Sequence, residues 1–374
     1  MTTRPFDGAK SDSQTRSISV TDVPDALWRL AVAAASPGGA GGRLSILIFH
    51  RVLREADSLF PGEVDRMRFD RICRWLKRWY RVLALDEAVE LRAQGRLPSR
   101  AISITFDDGY ADNHDVALEV LRTHGLSAAF FVATGFLDGG RMWNDTVVES
   151  VRGCPEPVID LTDLGVPGLG RFTVDTLLER RSAIASILVA IKHLPPSLRQ
   201  GAADGIAERT GVALPSDLMM TSAQVRALAD AGMVIGAHTL THPILASLSD
   251  DMARHEIEGS KRVLESLLQR EVSLFAYPNG KPGQDYLPRD VAMVREVGFR
   301  AAVSTAPGAT RCWDGLEFEL PRFTPWDSDR WKFALRLLRN LSATPLALSA
   351  TAVQDGKAQQ SSHRDGCKRP ASPP

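Results

Sequence analysis

Short apolar runs of strand length alternate with amphipathic helical stretches along most of this chain, and that alternation limits what it can fold into. "LSILIFH", "AISITF", "SAAFFVAT", "MVIGAH", "LFAYP" and "FRAAVST" each read as a buried strand. Helical patterns separate them. "FDRICRWLKRWYRVLALDEAVELRAQG" carries Phe69, Ile72, Cys73, Leu76 and Tyr80 on one face, and "DVALEVLRTHG" is closed by Gly125. "TSAQVRALADAG", "DDMARHEIEGSKRVLESLLQ" and "PRDVAMVREVG" follow. Repeated strand and helix in this order calls for βα units around a parallel sheet or barrel. Folds of that kind gather their chemistry at the carboxyl ends of the strands.

The ends of the chain read differently. Residues 1–43 are mostly small and polar, with "ASPGGAGG" as a flexible linker and "VPDALWRLAVAAA" as a short helix within the segment. The tail, 342–374, has little to bury beyond about Val353 and is expected to be disordered. The folded part is therefore placed at 44–341. Within it, residues from about 144 to 220 turn helical and loop-like, which reads as an insertion on the barrel rather than a second domain.

Composition narrows the partners. Lys and Arg together number 45, as do Asp and Glu, so no overall field draws the chain to nucleic acid. Cys73, Cys154, Cys312 and Cys367 are scattered without CxxC spacing, which argues against a disulfide framework or a thiolate zinc site and is compatible with a reducing compartment. "MTTRPFDGAKSDSQTRSISV" has no apolar core of a signal peptide, and no run of about 20 apolar residues occurs. The expectation is a soluble, cytoplasmic protein. The sequence leaves its oligomeric state open.

Two stretches carry the chemistry. In "ISITFDDGYADN" a strand runs into the adjacent carboxylates Asp107 and Asp108. Two neighbouring anions repel, so a cation or a reaction has to justify them. In "GAHTLTHP", His238 and His242 follow the strand "MVI" at an i, i+4 interval, which lets a helical or turn-like loop point both imidazoles one way. Carboxylate and imidazole together suit zinc or another borderline divalent metal, with positions left for water and substrate. One aspartate then binds the cation and the other takes a proton from the attacking water.

"TFDDGY" followed by "HTLTH" resembles the polysaccharide deacetylase, or NodB-homology, family of carbohydrate esterases, over about Leu44 to Trp326. The resemblance implies a distorted (β/α) barrel with a mostly helical insertion, and metal-dependent removal of acetyl groups from N-acetylated sugars. It implies Asp107 as general base, Asp108, His238 and His242 as metal ligands, and the backbone amide of Tyr110 as an oxyanion donor. The metal expected is zinc, with cobalt or nickel as alternatives, and the partner is an N-acetylated glycan. The sequence departs from the common family pattern at two places. Ala276 of "AYPNG" stands where an arginine that orients the base is usual, and "ELPRFTPW" lacks the usual acid histidine. Both departures resemble a permuted branch, that of the poly-N-acetylglucosamine deacetylases, whose acid histidine precedes the aspartate motif. Exopolysaccharide biosynthesis is the role this branch implies. "ILIFHRV" places His50 at a strand end in the corresponding segment, and histidine is well suited to protonate a leaving nitrogen near neutral pH.

"GRMWND" is expected at the rim of the site. There Trp143 either stacks on a sugar or seals the barrel mouth, and Asn144 or Asp145 hydrogen-bonds the glycan. Pro278 shapes the rim and Asn279 is a further substrate contact. Arg322 is a candidate for the missing orienting role, although the sequence does not fix its direction. "DRWKFALRLLRNL" interleaves Arg330, Lys332, Arg336 and Arg339 with Trp331, Phe333, Leu335 and Leu338. Packing on the barrel is the default for such a helix, and peripheral contact with an anionic membrane is the alternative. The same site residues also suit a small-molecule amidohydrolase or an O-acetyl esterase. A barrel that only binds glycans is disfavoured by the retained aspartates and histidines.

Overall fold

A computed structural model describes residues 25–325 and 327–348. The strands are β1 (Arg43–Phe49), β2 (Arg81–Val82), β3 (Ala101–Phe106), β4 (Ala129–Val132), β5 (Val158–Asp160), β6 (Arg171–Thr173), β7 (Val234–Ala237), β8 (Leu274–Ala276), β9 (Ala301–Val303) and β10 (Thr310–Arg311). The main sheet runs β10-β1-β3-β4-β7-β8-β9, with β2 beside β3. From β1 to β9 every pairing is parallel. The segment 320–323 bridges the two edges: Leu320 pairs with Val303 of β9 and Phe323 with Leu47 of β1. The curled sheet thereby returns on itself, as the distorted barrel reading requires.

Residues of β1, β3 and β4 are buried almost without exception, as expected for parallel strands covered on both faces. Ile102, Ile104 and Phe106 of β3 join the larger core beneath the helices. Ala101, in the alternate register, joins a second core with Ile46, Ala129, Phe131, Ala276, Val303 and Leu320. Gly236 of β7 belongs to this crowded interior, because a Cβ there would stand 2.5 Å from the Phe131 ring.

The helices are α1 (Asp25–Ala35), α2 (Arg66–Trp79), α3 (Leu85–Ala93), α4 (Leu118–His124), α5 (Trp143–Gly153), α6 (Leu177–Ile191), α7 (Pro196–Thr210), α8 (Ser222–Asp230), α9 (Asp250–Leu268), α10 (Pro288–Glu296) and α11 (Arg330–Asn340). Local chemistry sets several of their starts. Asp65 caps α2, and Thr176 with Glu179 and Thr221 with Gln224 form capping boxes at α6 and α8. No described helix is long and apolar enough to cross a membrane.

Three expectations need correction. The helical stretch that begins at Phe69 is split: Arg81 and Val82 pair with β3, so α2 ends at Trp79 and α3 starts at Leu85. Residues 25–42 are not a flexible segment. Trp28 of α1 is buried with its ring 6.1 Å from those of Trp79 and Trp331, and Asp25 accepts from the Trp79 indole at 2.8 Å. Residues 342–348 also pack back, with Ala347 buried and the Leu348 N–H donating to the carboxylate of buried Glu319 at 2.9 Å. The remainder of both terminal segments lies outside the described residues.

The stretch from Trp143 to residue 220 holds α5, α6 and α7 with their own apolar cluster, which includes Val147, Ile184, Ile187 and Ile206. It also holds an antiparallel pair, β5 with β6, that the pattern did not suggest. Helix α11 packs inward through Trp331, Phe333, Ala334 and Leu337. Its Arg330 pairs with Asp25 and lies over the Trp79 and Trp331 rings, while Arg336 pairs with Asp327 at 2.7 Å.

Candidate active site

Strand register brings the motifs together. Phe49 pairs with Phe106 and Ala237 with Phe275, so His50, Asp107 and His238 leave the sheet at the same end. A regular strand would send Asp107 and Asp108 to opposite faces. Asp108 instead adopts φ 77° and Gly109 φ 91°, which turns the chain so that both carboxylates flank one point. A Cβ at Gly109 would meet Val132 Cγ1 at 3.1 Å, so this turn needs glycine twice over.

Asp108, His238 and His242 converge. Their ligand atoms lie within 4.8 Å of one another, and each Nε2 is 3.4 Å from Asp108 Oδ1. The donors fit a divalent cation: ligands about 2.0–2.1 Å from a tetrahedral zinc would stand about 3.3 Å apart. The His238 Nδ1–H donates to the Ala276 carbonyl at 2.7 Å, which leaves Nε2 as the lone-pair nitrogen facing the cluster. Burial outweighs the neighbouring carboxylates at His242 and lowers its pKa to about 4, so the imidazole stays neutral as a ligand must.

The loop carrying the histidines is an irregular turn, with Thr239 at φ 65° and His242 at φ 53°. Glu256 of α9 holds it, accepting from the Leu240 and Thr241 N–H groups at 2.8 Å and from Thr241 Oγ1 at 2.6 Å. Left-handed residues persist only where surroundings over-determine them, and here the Glu256 carboxylate does so.

Asp107 stands beside the cluster, its Oδ2 4.0 Å from His238 Nε2. Both of its oxygens accept from Arg322, at 2.6 Å each, and the pair is almost wholly buried. Burial alone would raise the Asp107 pKa, but the Arg322 guanidinium with His238 brings it below the ordinary value. Arg322 is fixed in turn, donating to the Ser304 carbonyl at 2.9 Å and to Thr105 Oγ1 at 3.2 Å. The arginine missing before Pro278 is thus replaced in space by one from the segment that closes the barrel.

His50, Asp108, Tyr110, Asn144 and Asp145 line one cavity of about 350 Å3, within the range of sites that enclose a small ligand. Tyr110 N–H donates to no acceptor among the described residues, while the flanking Gly109 carbonyl and Ala111 N–H bond residues 220 and 218. The Tyr110 hydroxyl donates to Asp145 at 3.0 Å, and the Arg51 guanidinium lies 4.7 Å over its ring. Burial pushes Asp145 up to about 7 despite Arg51 and the Tyr110 hydroxyl. His50 is exposed to the cavity, and its backbone is held by the Asn113 amide at 2.8 Å.

The other rim candidates lie elsewhere. Trp143 is absent from the cavity wall: it packs against the apolar cluster of the insertion, with the Arg199 guanidinium 5.0 Å over its ring. Pro278 and Asn279 follow β8 on the same end of the barrel but do not line this cavity. Asn279 has φ 58° and its carbonyl accepts from Thr305 Oγ1 at 2.7 Å. Sequence reasoning missed the far walls, formed by Phe60 from the loop after β1, by Arg68 from the first turn of α2, and by Val148, Arg152, Ile184 and Leu188 from the insertion. Arg152 donates to Asp57 at 2.7 and 3.0 Å, tying these walls together.

Comparison with known proteins agrees with this architecture. The polysaccharide deacetylase family model matches residues 94–158 and 202–302, and the gap between the blocks falls in the insertion. YxkH of Bacillus subtilis (strain 168), named for the same family, is 22% identical over 276 residues, 73% of this chain and 68% of its own length. The Streptococcus pyogenes deacetylase PplD, solved in complex with acetate, superposes with a TM-score of 0.53 at 19% identity, covering 79% of this chain and 98% of its own. IcaB from Ammonifex degensii gives 0.51 at 18%, covering 81% and 98%. At these identities the superpositions speak for the fold, and the family likeness rests on the sequence match. Over those two blocks the chain is similar to the polysaccharide deacetylase family, hydrolases acting on carbon–nitrogen bonds other than peptide bonds.

Proposed function

We propose that this protein removes N-acetyl groups from an N-acetylated glycan with the help of a divalent metal held by Asp108, His238 and His242. The observation that carries the reading is the meeting of those three donors with a separately held acid, Asp107, at one end of the barrel. Zinc is the proposed ion, with cobalt or nickel as substitutes. When bound, it supplies Lewis acidity, which lowers the pKa of water and polarises the acetyl carbonyl.

The chain's own groups do the rest. Asp107, ionised and aimed by Arg322, takes a proton from the attacking water. The Tyr110 N–H donates to the carbonyl oxygen as negative charge builds on it. His50 gives a proton to the departing nitrogen, so the amide and water become acetate and a free amine. With its acid upstream of the aspartates and its orienting arginine near the end, the chain suits the permuted branch, and an exopolysaccharide is our proposed source of the glycan. The test is acetate release from N-acetylglucosamine oligomers and from O-acetylated glycans by metal-stripped protein reconstituted with zinc, cobalt or nickel. Metal-dependent release from the N-acetylated substrate supports the proposal. Release only from the O-acetylated substrate replaces it with an esterase.

A further inference from the structure

A second, smaller cavity of about 200 Å3 lies where the insertion meets the metal-site loop. Lys192 and His193 line it from the turn joining α6 to α7 and Arg199 from the first turn of α7, opposite Ile244, Ser247 and Gln284. Ile244 is two residues beyond His242. No carboxylate is among its lining residues, and Lys192, His193 and Arg199 form no ion pair among the described residues. Arg199 is only 7% exposed. Its contacts are the Trp143 ring and, through one N–H at 3.2 Å, the Lys192 carbonyl. Burial lowers its pKa and no neighbouring acid opposes that effect. A guanidinium held over an indole, with most of its fork unused, is suited to bidentate capture of a carboxylate or phosphate.

The two cavities share one helix face. Ile184 and Leu188 line the large cavity, and Lys192, the next residue at the i+4 spacing, lines the small one. We infer that the basic cavity takes an anionic substituent, carboxylate or phosphate, of the glycan whose reacting sugar occupies the large cavity. The inference rests on the proposed deacetylase reading and sharpens it: the substrate is an acidic glycan. It also gives Trp143 a role, as the surface that holds Arg199 rather than a sugar platform.

Zinc-loaded full-length protein should be assayed with N-acetylglucosamine tetramer and with hyaluronan tetrasaccharide, which alternates N-acetylglucosamine with glucuronate. A charge-assisted contact predicts kcat/KM about tenfold higher for the acidic substrate. That ratio should fall to near one in Arg199→Gln and in the double variant Lys192→Gln/His193→Gln, whose two side chains are half-buried and exposed, respectively. A wild-type ratio near one, or a preference that survives both variants, overturns the inference while leaving deacetylation standing. If neither substrate releases acetate, the deacetylase reading fails and calorimetric titration of metal-free protein decides the cavity. Binding of glucuronate or inorganic phosphate that is lost in the double variant sustains the anion site and identifies its chemistry. No binding of either removes it.

Discussion

Two buried carboxylates beside the same cavity are treated in opposite ways. Asp107 belongs to the barrel and meets a guanidinium that takes both its oxygens. Asp145 belongs to the first turn of the insertion, meets a tyrosine hydroxyl, and is left with a pKa pushed up to about 7. The barrel holds its acid ionised and aimed. The insertion keeps an acid that titrates near neutrality. Burial is common to both, so the partner decides the charge state.

The sharpest way to break that contrast is to remove the partner. Arg322→Met leaves Asp107 buried without its cation, and breaking such a pair costs about 3–5 kcal/mol. Urea unfolding should show that loss, and a change under 1 kcal/mol would mean the pair is not what holds Asp107. Asp107→Asn removes the acid's chemistry and should lower turnover about 10²–10⁴-fold, the range for general base catalysis, with zinc content unchanged. Undiminished turnover would take Asp107 out of the reaction. His50→Asn should cost about 10²-fold at unchanged zinc content. A near-normal rate would pass the acid role to another group.

The smallest effect sharpens the insertion's side of the contrast. Folded-state Asp145 keeps its proton up to about pH 7, whereas its ordinary value is 3.8. The fold therefore binds a proton that the unfolded chain has lost across that window. Stability from this group is full below pH 3.8 and declines as pH rises through 7. Metal-free Asp145→Asn should lack that decline. Identical slopes for variant and wild type between pH 4 and 7 would show that Asp145 is ionised throughout.

How much could be read without coordinates follows from the range of the interactions. Asp107 with Asp108, and His238 with His242, are local patterns at strand ends, and the alternation of strand and helix located those ends. Arg322 lies 215 residues from the acid it binds, so its direction needed the barrel closure made by residues 320–323. Glu256 reaches the histidine loop from a helix whose sequence reads as an ordinary charged face. Arg81 and Val82 were absorbed into a helical pattern because pairing with β3 overrides local propensity. Trp28 shows the same limit, since its burial depends on Trp79 and Trp331, far away in the sequence, and not on its chain neighbours. Trp143 was expected at the rim, and only the packing of α5 on α7 shows that it turns to Arg199 instead.

The most direct test of the central claim is zinc content measured alongside acetate release for wild type, Asp108→Ala and His238→Ala after stripping and reconstitution. Wild type should bind zinc stoichiometrically and release acetate only when it is present, and both variants should lose zinc and turnover together. Full-rate release from stripped protein, or unchanged zinc retention by Asp108→Ala, would contradict a site in which one carboxylate and two imidazoles share an ion.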